Sequence, residues 1–169
     1  VGSEMCIRDS SMTMNECGLM DALQKRTDIT LLDRSKACSP EEVKEIYHKA
    51  LSCDYYFMST NAITLDGQLV NTDGTGNRVA ALIYGPENVI IIAGMNKVAA
   101  TLEEAESRVK NIASPPNAIR LDRKTPCALT GSCHDCFAEG CICSHTVITR
   151  RSAIKGRIKL ILVGEELGY

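Results

Sequence analysis

The chain has 169 residues, 44% of them hydrophobic and 24% charged, enough for one domain with a buried core. A formal net charge of −2, 4% aromatic residues and no Trp exclude a global electrostatic or base-stacking case for nucleic acid, and give none for an anionic membrane. The longest apolar stretch, Val89 to Gly94, is far too short to cross a bilayer.

The first ten residues, VGSEMCIRDS, carry no periodicity, do not continue the pattern that follows and contain no h-region. They read as a foreign or disordered leader, outside the fold. Met14 to Lys25 has apolar residues at three- and four-residue spacing (Cys17, Met20, Leu23) and predicts a helix. Ile29 to Leu32 predicts a short buried strand. Ser39-Pro40-Glu41-Glu42 opens a helix: Ser39 suits the N-cap, Pro40 the first turn, and Glu42 completes a capping box. Val43, Ile46, Tyr47 and Ala50 form its inward stripe. Tyr55 to Ser59 predicts a strand. Asp66-Gly67 predicts a tight turn between extended pieces at Ala62 to Thr64 and Gln68 to Val70.

Asn71 to Gly76 reads as a turn-rich loop leading into a helix from Asn77 to Tyr84, which Gly85-Pro86 ends. Val89 to Ala93 is all apolar and β-branched, the pattern of a central parallel strand. Thr101-Leu102-Glu103-Glu104 is a second capping box; its helix runs to about Ala113, where Ser114-Pro115-Pro116 is expected to stop it. Thr146 to Thr149 and Arg157 to Val163 are strand-like. Helices and apolar strands alternate, which predicts an α/β fold with a mainly parallel sheet and helices on its faces. No repeat, low-complexity tract or linker interrupts residues 11–169, so they read as a single domain.

Three constellations could carry chemistry. In Asp73-Gly74-Thr75-Gly76-Asn77-Arg78, two glycines let backbone amides approach a ligand, and the loop opens a helix whose first N–H groups favour an anion. Arg78 could add a bidentate contact, with Asn61, Asn71 and Asp73 orienting the ligand. A plain connecting loop, with Arg78 on a solvated helix face, is the alternative. The second constellation is Cys127-x5-Cys133-x2-Cys136-x4-Cys141-x-Cys143, with His134 and His145 inside or beside it. Four thiolates suit zinc or an iron–sulfur centre, one CxxC suits thiol redox chemistry, and a loop of reduced thiols needs neither. The spacing matches neither a ferredoxin run nor paired CxxC knuckles. Nine Cys, an odd number, in a chain of alternating helices and strands point to a reducing cytoplasm rather than a disulfide framework. Third, Arg150, Arg151, Lys155, Arg157 and Lys159 cluster near the C-terminal strands and read as a solvated face protecting an edge. Asp33-Arg34 follows a strand end, where α/β ligand sites tend to lie.

The stretch STNAITLDGQLVNTDGTGNRVA, Ser59 to Ala80, resembles the signature of LUD-domain (lactate utilization) proteins. The resemblance continues through Gly85-Pro86, Val89 to Lys97, Lys110 to Ala113, Lys124-Thr125-Pro126-Cys127 and the closing Ile161 to Tyr169. It implies a three-layer, Rossmann-like α/β/α fold of the NagB/RpiA/CoA-transferase-like superfamily. Family chains usually carry a further helix and strand before a Gly-Gly-Ser-Met-Thr turn. Here Ser11-Met12-Thr13 follows Asp9-Ser10, so an N-terminally truncated fold is expected. The resemblance also implies a role in oxidising lactate or a related organic acid, beside iron–sulfur and flavin-type partner subunits. A small anionic metabolite is the implied ligand, and homo-oligomerisation stays open. Related chains carry Cys127, Cys133, Cys136 and Cys143, which makes these four the candidate metal ligands and Cys141 the outlier. No complete dinucleotide fingerprint is present, so the hydride step itself is not expected of this chain. Isomerase or CoA-transferase-like chemistry is a third reading.

Overall fold

A computed structural model describes residues 3–7 and 11–169. The chain divides into two compact units that are interleaved in sequence. One comprises the described residues up to Ser59, with Ala80–Met95 and Ser152–Gly168; the other comprises Thr60–Val79, Asn96–Arg151 and Tyr169.

The first unit is built on five parallel strands: β1 (Ser3–Ile7), β2 (Ile29–Asp33), β3 (Tyr55–Met58), β6 (Asn88–Gly94) and β9 (Ile158–Val163). Their order is β2-β1-β3-β6-β9. Residues 3–7, expected to lie outside the fold, instead form an interior strand, because β2 and β3 supply parallel ladder partners on both sides that the local sequence does not reveal. Counted within this sheet alone, the order is that of a doubly wound α/β fold, in which the chain reverses direction beside its first strand. Val89 to Ala93 lies in a central strand, as its unbroken apolar run predicts. Side chains alternate across a strand, and in the interior strands both alternating sets are packed. Phe57 and Ile92 pack with Met14, Met20 and Leu23 of the N-terminal helices, joined by Ile29, Leu31, Tyr55 and Ile90. Their opposite-facing neighbours Tyr56, Met58, Val89 and Ile91 are also buried. Both faces are therefore covered, which makes this a mostly parallel sheet flanked by helices, a three-layer Rossmann-like arrangement.

Local signals explain most boundaries. Ser39 Oγ accepts from the Glu42 amide (3.2 Å), and the Glu42 carboxylate accepts from the Cys38 amide (2.7 Å), so α3 (Pro40–Lys49) starts on a reciprocal cap. The single helix expected over Met14 to Lys25 is two, α1 (Met12–Glu16) and α2 (Leu19–Gln24). Gly18 at φ +72° separates them, a left-handed conformation that glycine adopts without strain. Asp33 caps its own strand end, accepting from the Ser35 amide (3.0 Å) and hydroxyl (2.6 Å). Arg34 lies over the Tyr47 ring, 5.7 Å from its centroid.

The expected basic face loses one member. Arg150, Arg151, Lys155 and Lys159 are exposed, but Arg157 is buried. Its guanidinium donates to the carbonyls of Ala81 (2.9 Å), Leu82 (2.7 Å) and Pro86 (2.8 Å). These lie at or just past the C-terminal end of α4 (Asn77–Tyr84), where helical carbonyls lack amide partners. Charge counting along the sequence cannot see this, because the acceptors are 71 to 76 residues away.

In the second unit the strands are β4 (Ala62–Thr64), β5 (Leu69–Asp73), β7 (Val98–Ala99) and β8 (His145–Thr149), in the order β7-β4-β5-β8. β4 and β5 form the expected hairpin around Asp66-Gly67, with Gly67 at φ +88°. β5 runs on antiparallel to β8, pairing Asn71 with Val147 and Asp73 with His145. Asn71 to Asp73 is thus strand rather than loop, because β8, 70-odd residues later, supplies its ladder partners. Thr101 caps α5 (Leu102–Arg108) through the Glu104 amide (3.2 Å), as the second capping box predicts.

The helix does not stop at Pro115-Pro116. It passes through a π turn (Val109–Ala113) into α6 (Ser114–Arg120). In an unbroken α-helix those proline rings would collide with the carbonyls of Asn111 and Ile112, and both lack an N–H. A wider π turn at those residues accommodates the rings without ending the helix. Ala62, Val70, Ala99, Ala105 and Val109 form this unit's core. Buried Arg108 donates to the carbonyls of Asn96 (2.8 Å) and Asn61 (2.6 Å).

Arg157→Met should lower the free energy of unfolding by about 2–3 kcal/mol, because three carbonyls lose a charged donor. Lys155→Met should change it by less than about 0.5 kcal/mol. Urea denaturation of the two variants checks the contrast.

Candidate functional site

β5 sets the geometry of the second unit's polar residues. Asn71 and Asp73 project to one side of it and Thr72 to the other. On the Asn71/Asp73 side, Arg78 is turned inward and only 4% exposed. Its guanidinium donates to Asn71 Oδ1, to Asn61 Oδ1 (2.8 Å) and to the Thr72 carbonyl (2.7 Å). Its Nε lies 3.7 Å from Asp73 Oδ2, a pair with both side chains at least nine-tenths buried. Removing one partner of such a pair strands the other charge, at a cost of about 3–5 kcal/mol. Asn61 Oδ1 also accepts from the Thr72 amide (3.0 Å). Because a guanidinium only donates, Asn71 must turn its oxygen toward Arg78, and its buried Nδ2 has no hydrogen-bond partner among the described residues.

The glycine loop is organised by the same carboxylate. Asp73 Oδ1 accepts from the amides of Thr75 (3.1 Å) and Gly76 (3.1 Å), and Oδ2 accepts from the Arg78 amide (3.1 Å). Asn77 begins α4 immediately after. The sequence-predicted residues Asn61, Asn71, Asp73, Gly74, Thr75, Gly76, Asn77 and Arg78 are thus brought together, with three amides and the guanidinium bonded within the group.

What the glycines do is visible in their neighbours. A Cβ on Gly74 would stand 3.3 Å from the Cα and carbonyl oxygen of Ile142, between Cys141 and Cys143. Gly76, at φ +88°, has the His145 ring over it, 3.3 Å from where a Cβ would be. The Asp73–Gly76 segment is the bed on which the cysteine-rich segment lies. Sequence spacing shows each motif but not that one seats the other.

On the Thr72 side is a cavity of about 290 Å³. Its wall includes Thr72 and Thr146, whose hydroxyls share a hydrogen bond (2.9 Å). Val109, Lys110 and Ser114, from the π turn and the start of α6, also line it. All five late cysteines do too: Cys127, Cys133, Cys136, Cys141 and Cys143. Cys127, Cys133, Cys136 and Cys143 therefore line one cavity, and Cys141, the outlier by resemblance, lines it too.

The sulfurs have distinct surroundings. Cys127 Sγ lies 3.3 Å from the buried Thr125 hydroxyl. Cys133 Sγ accepts from the Asp135 amide, and Cys141 Sγ from the Cys143 amide, both at 3.4 Å. Cys143 Sγ donates to Ser114 Oγ (3.5 Å). Asp135 adopts φ +45°, a left-handed conformation that Asp tolerates better than most residues, and this turns its amide back toward Cys133. Lys110 Nζ binds Asp135 Oδ1 (2.6 Å). His134 is held by the Thr130 hydroxyl (2.8 Å). Burial pushes the Cys143 thiol up; Ser114 lowers it, and charge on Cys141, Cys127 and Cys133 would raise it further.

Among the described residues, no three His, Cys, Asp or Glu side chains converge on a point that could hold one metal ion. No described helix is long and apolar enough to cross a membrane.

The LUD-domain family model matches residues 4–163, so this chain belongs to the LUD-domain family. A solved structure of a DUF162-family protein from Deinococcus radiodurans is similar over 96% of this chain and 88% of that one, at 11% identity and a TM-score of 0.42. No curated protein matches the chain significantly.

Gly74→Ala should lift the Ile142 backbone off its bed. Overpacking of this kind costs about 1 kcal/mol or more, enough to raise local opening roughly fivefold. Maleimide labelling of the cavity cysteines should accelerate accordingly, with little loss of global stability. Unchanged labelling would show that the close approach does not hold the cysteine segment.

Proposed function

We propose that this LUD-domain protein supports the oxidation of lactate or a related organic acid, as an accessory subunit whose working centre is the thiol-lined cavity. The observation that carries the reading is the gathering of Cys127, Cys133, Cys136, Cys141 and Cys143, from a 17-residue stretch of chain, around one void. Soft sulfur donors serve metal binding or electron and thiol chemistry, and these are the kinds of chemistry an oxidation draws on. Resemblance to lactate utilization proteins supplies the substrate class, a small organic anion. The same resemblance suggests iron–sulfur and flavin-type subunits as partners in a cytoplasmic complex.

The absence of a dinucleotide fingerprint from the sequence supports the division of labour: hydride or electron acceptance from the acid belongs to a partner subunit. The Asp73–Arg78 group supports the proposal indirectly. Its amides and guanidinium are engaged in holding β5 and the loop, which favours a role in shaping the cavity over presenting a free anion cradle.

Disruption of the gene in its native host should slow growth on L-lactate as the sole carbon and energy source while leaving growth on glucose unchanged. Restoration should follow from the intact gene and fail with a copy carrying Cys127→Ala and Cys143→Ala together. Equal growth on both carbon sources after disruption would overturn the proposal.

A further inference from the structure

We infer that β9 is a dimerisation edge. Two copies of this chain pair β9 to β9, antiparallel about a two-fold axis through Leu160, and join their five-stranded sheets into one of ten. This goes beyond the proposed function and does not depend on it.

The two edges of the parallel sheet differ. β2 exposes only Thr30. β9 exposes four of its six residues, and three of these are large and apolar: Leu160 (38%), Ile161 (50%) and Leu162 (46%). Consecutive residues point to opposite faces, so both faces of β9 are apolar and open. Natural edges are guarded by charge, by proline or by a covering element. No proline lies in β9, and the described residues add no strand beyond it. Its single charge, Lys159, is turned back over its own sheet, where Nζ donates to Asn88 Oδ1 on β6 (2.8 Å).

Backbone direction and charge fix the register. The Arg157 carbonyl accepts from the Val89 amide (2.8 Å), and the Glu165 carbonyl from the Met95 amide (3.0 Å). Odd-numbered residues along β9 therefore turn their backbone polar groups to β6, and Ile158, Leu160 and Leu162 turn theirs outward. In an antiparallel pair, outward-facing residues of one strand bond outward-facing residues of the other. With the axis through Leu160, that residue faces its own copy, Ile158 faces Leu162 and Lys159 faces Ile161. Just beyond the strand ends, exposed Lys155 of each copy then comes opposite exposed Glu165 of the other, so two opposite-charge contacts close the pair. An axis through Lys159 would instead set two ammonium groups face to face. An axis through Ile161 would leave Glu165 opposite Arg157, whose guanidinium is engaged within its own chain.

The area is adequate. Exposed Ile154 and Tyr84 flank the start of β9, where Arg157 bonds both the Ile154 turn and the end of α4, and exposed Met95 flanks its end beside Glu165. Together with Leu160, Ile161 and Leu162 they present roughly 600–700 Å² of apolar surface, taking about 200 Å² for each large side chain, close to the roughly 800 Å² per partner of a stable interface. Antiparallel pairing brings the start of one strand to the end of the other, so these end groups meet across the two-fold.

The test is sedimentation velocity on the full chain, with a reductant present so that intermolecular disulfides do not imitate the contact. A species of twice the 18.4 kDa chain mass should dominate at micromolar concentration. Leu160→Lys sets two like charges on the axis and should raise the dimer dissociation constant by about tenfold or more, with the circular dichroism spectrum unchanged. Should that variant not fold, Leu160→Pro reads the same contact, since it removes only an outward N–H and edge strands accept proline. Lys155→Glu should weaken the dimer severalfold, and adding Glu165→Lys should restore it, a rescue specific to this register. A monomer at every concentration up to the millimolar range, a dimer that Leu160→Lys leaves intact, or no rescue by the charge exchange would overturn the inference. None of those results bears on the lactate-growth phenotype, so failure here is distinguishable from failure of the proposed function.

Discussion

A buried carboxylate organises the second unit. Asp73 stands at the end of β5, where one oxygen gathers the amides of the loop it begins and the other takes the first-turn amide and faces the guanidinium of Arg78. That ion pair would be costly to bury if either charge lacked further partners. Here Asn61, Asn71 and the Thr72 carbonyl complete the hydrogen bonding of Arg78, so strand, loop and helix start are locked to one another. The geometry that follows is a rigid bend with two glycines on its surface. The cysteine-rich segment, which has little regular structure between α7 (Pro126–Thr130) and β8, borrows its position from that bend.

Strand alternation then divides the chemistry. The ionic group occupies one side of β5, and Thr72 carries the other side into the cavity wall. Charge and hydrogen bonding on the first side are spent on structure. On the second, five sulfurs meet a lysine and two hydroxyl-bearing strand residues. Regularity is also interrupted at this place, because the π turn that supplies Val109 and Lys110 sits directly before Ser114. Such turns in helices occur often at functional sites.

Much of the architecture was legible in the residues because it is local. Capping boxes at Ser39 and Thr101, the Asp66-Gly67 turn and the β-branched run at Val89 each act within a few residues of themselves. What could not be read were effects whose partners are remote. β5 extends to Asp73 because β8 pairs with it, the proline pair at 115–116 is tolerated because the helix widens, and Arg157 is buried because α4 ends beside it. The two site motifs were both visible as spacing, Gly-x-Gly and the five cysteines. Their relation was not, since an approach of 3.3 Å between Gly74 and Ile142 leaves no trace in either segment.

If the bend is held from within, its amides are satisfied by Asp73 and shielded from exchange. Hydrogen–deuterium exchange resolved at Thr75, Gly76 and Arg78 reads this directly. The account predicts that all three exchange slowly in the intact protein and that Asp73→Ala speeds them together. Rapid exchange at Thr75 and Gly76 in the intact protein would contradict it, by showing a loop whose amides are open to solvent and to any anion that arrives.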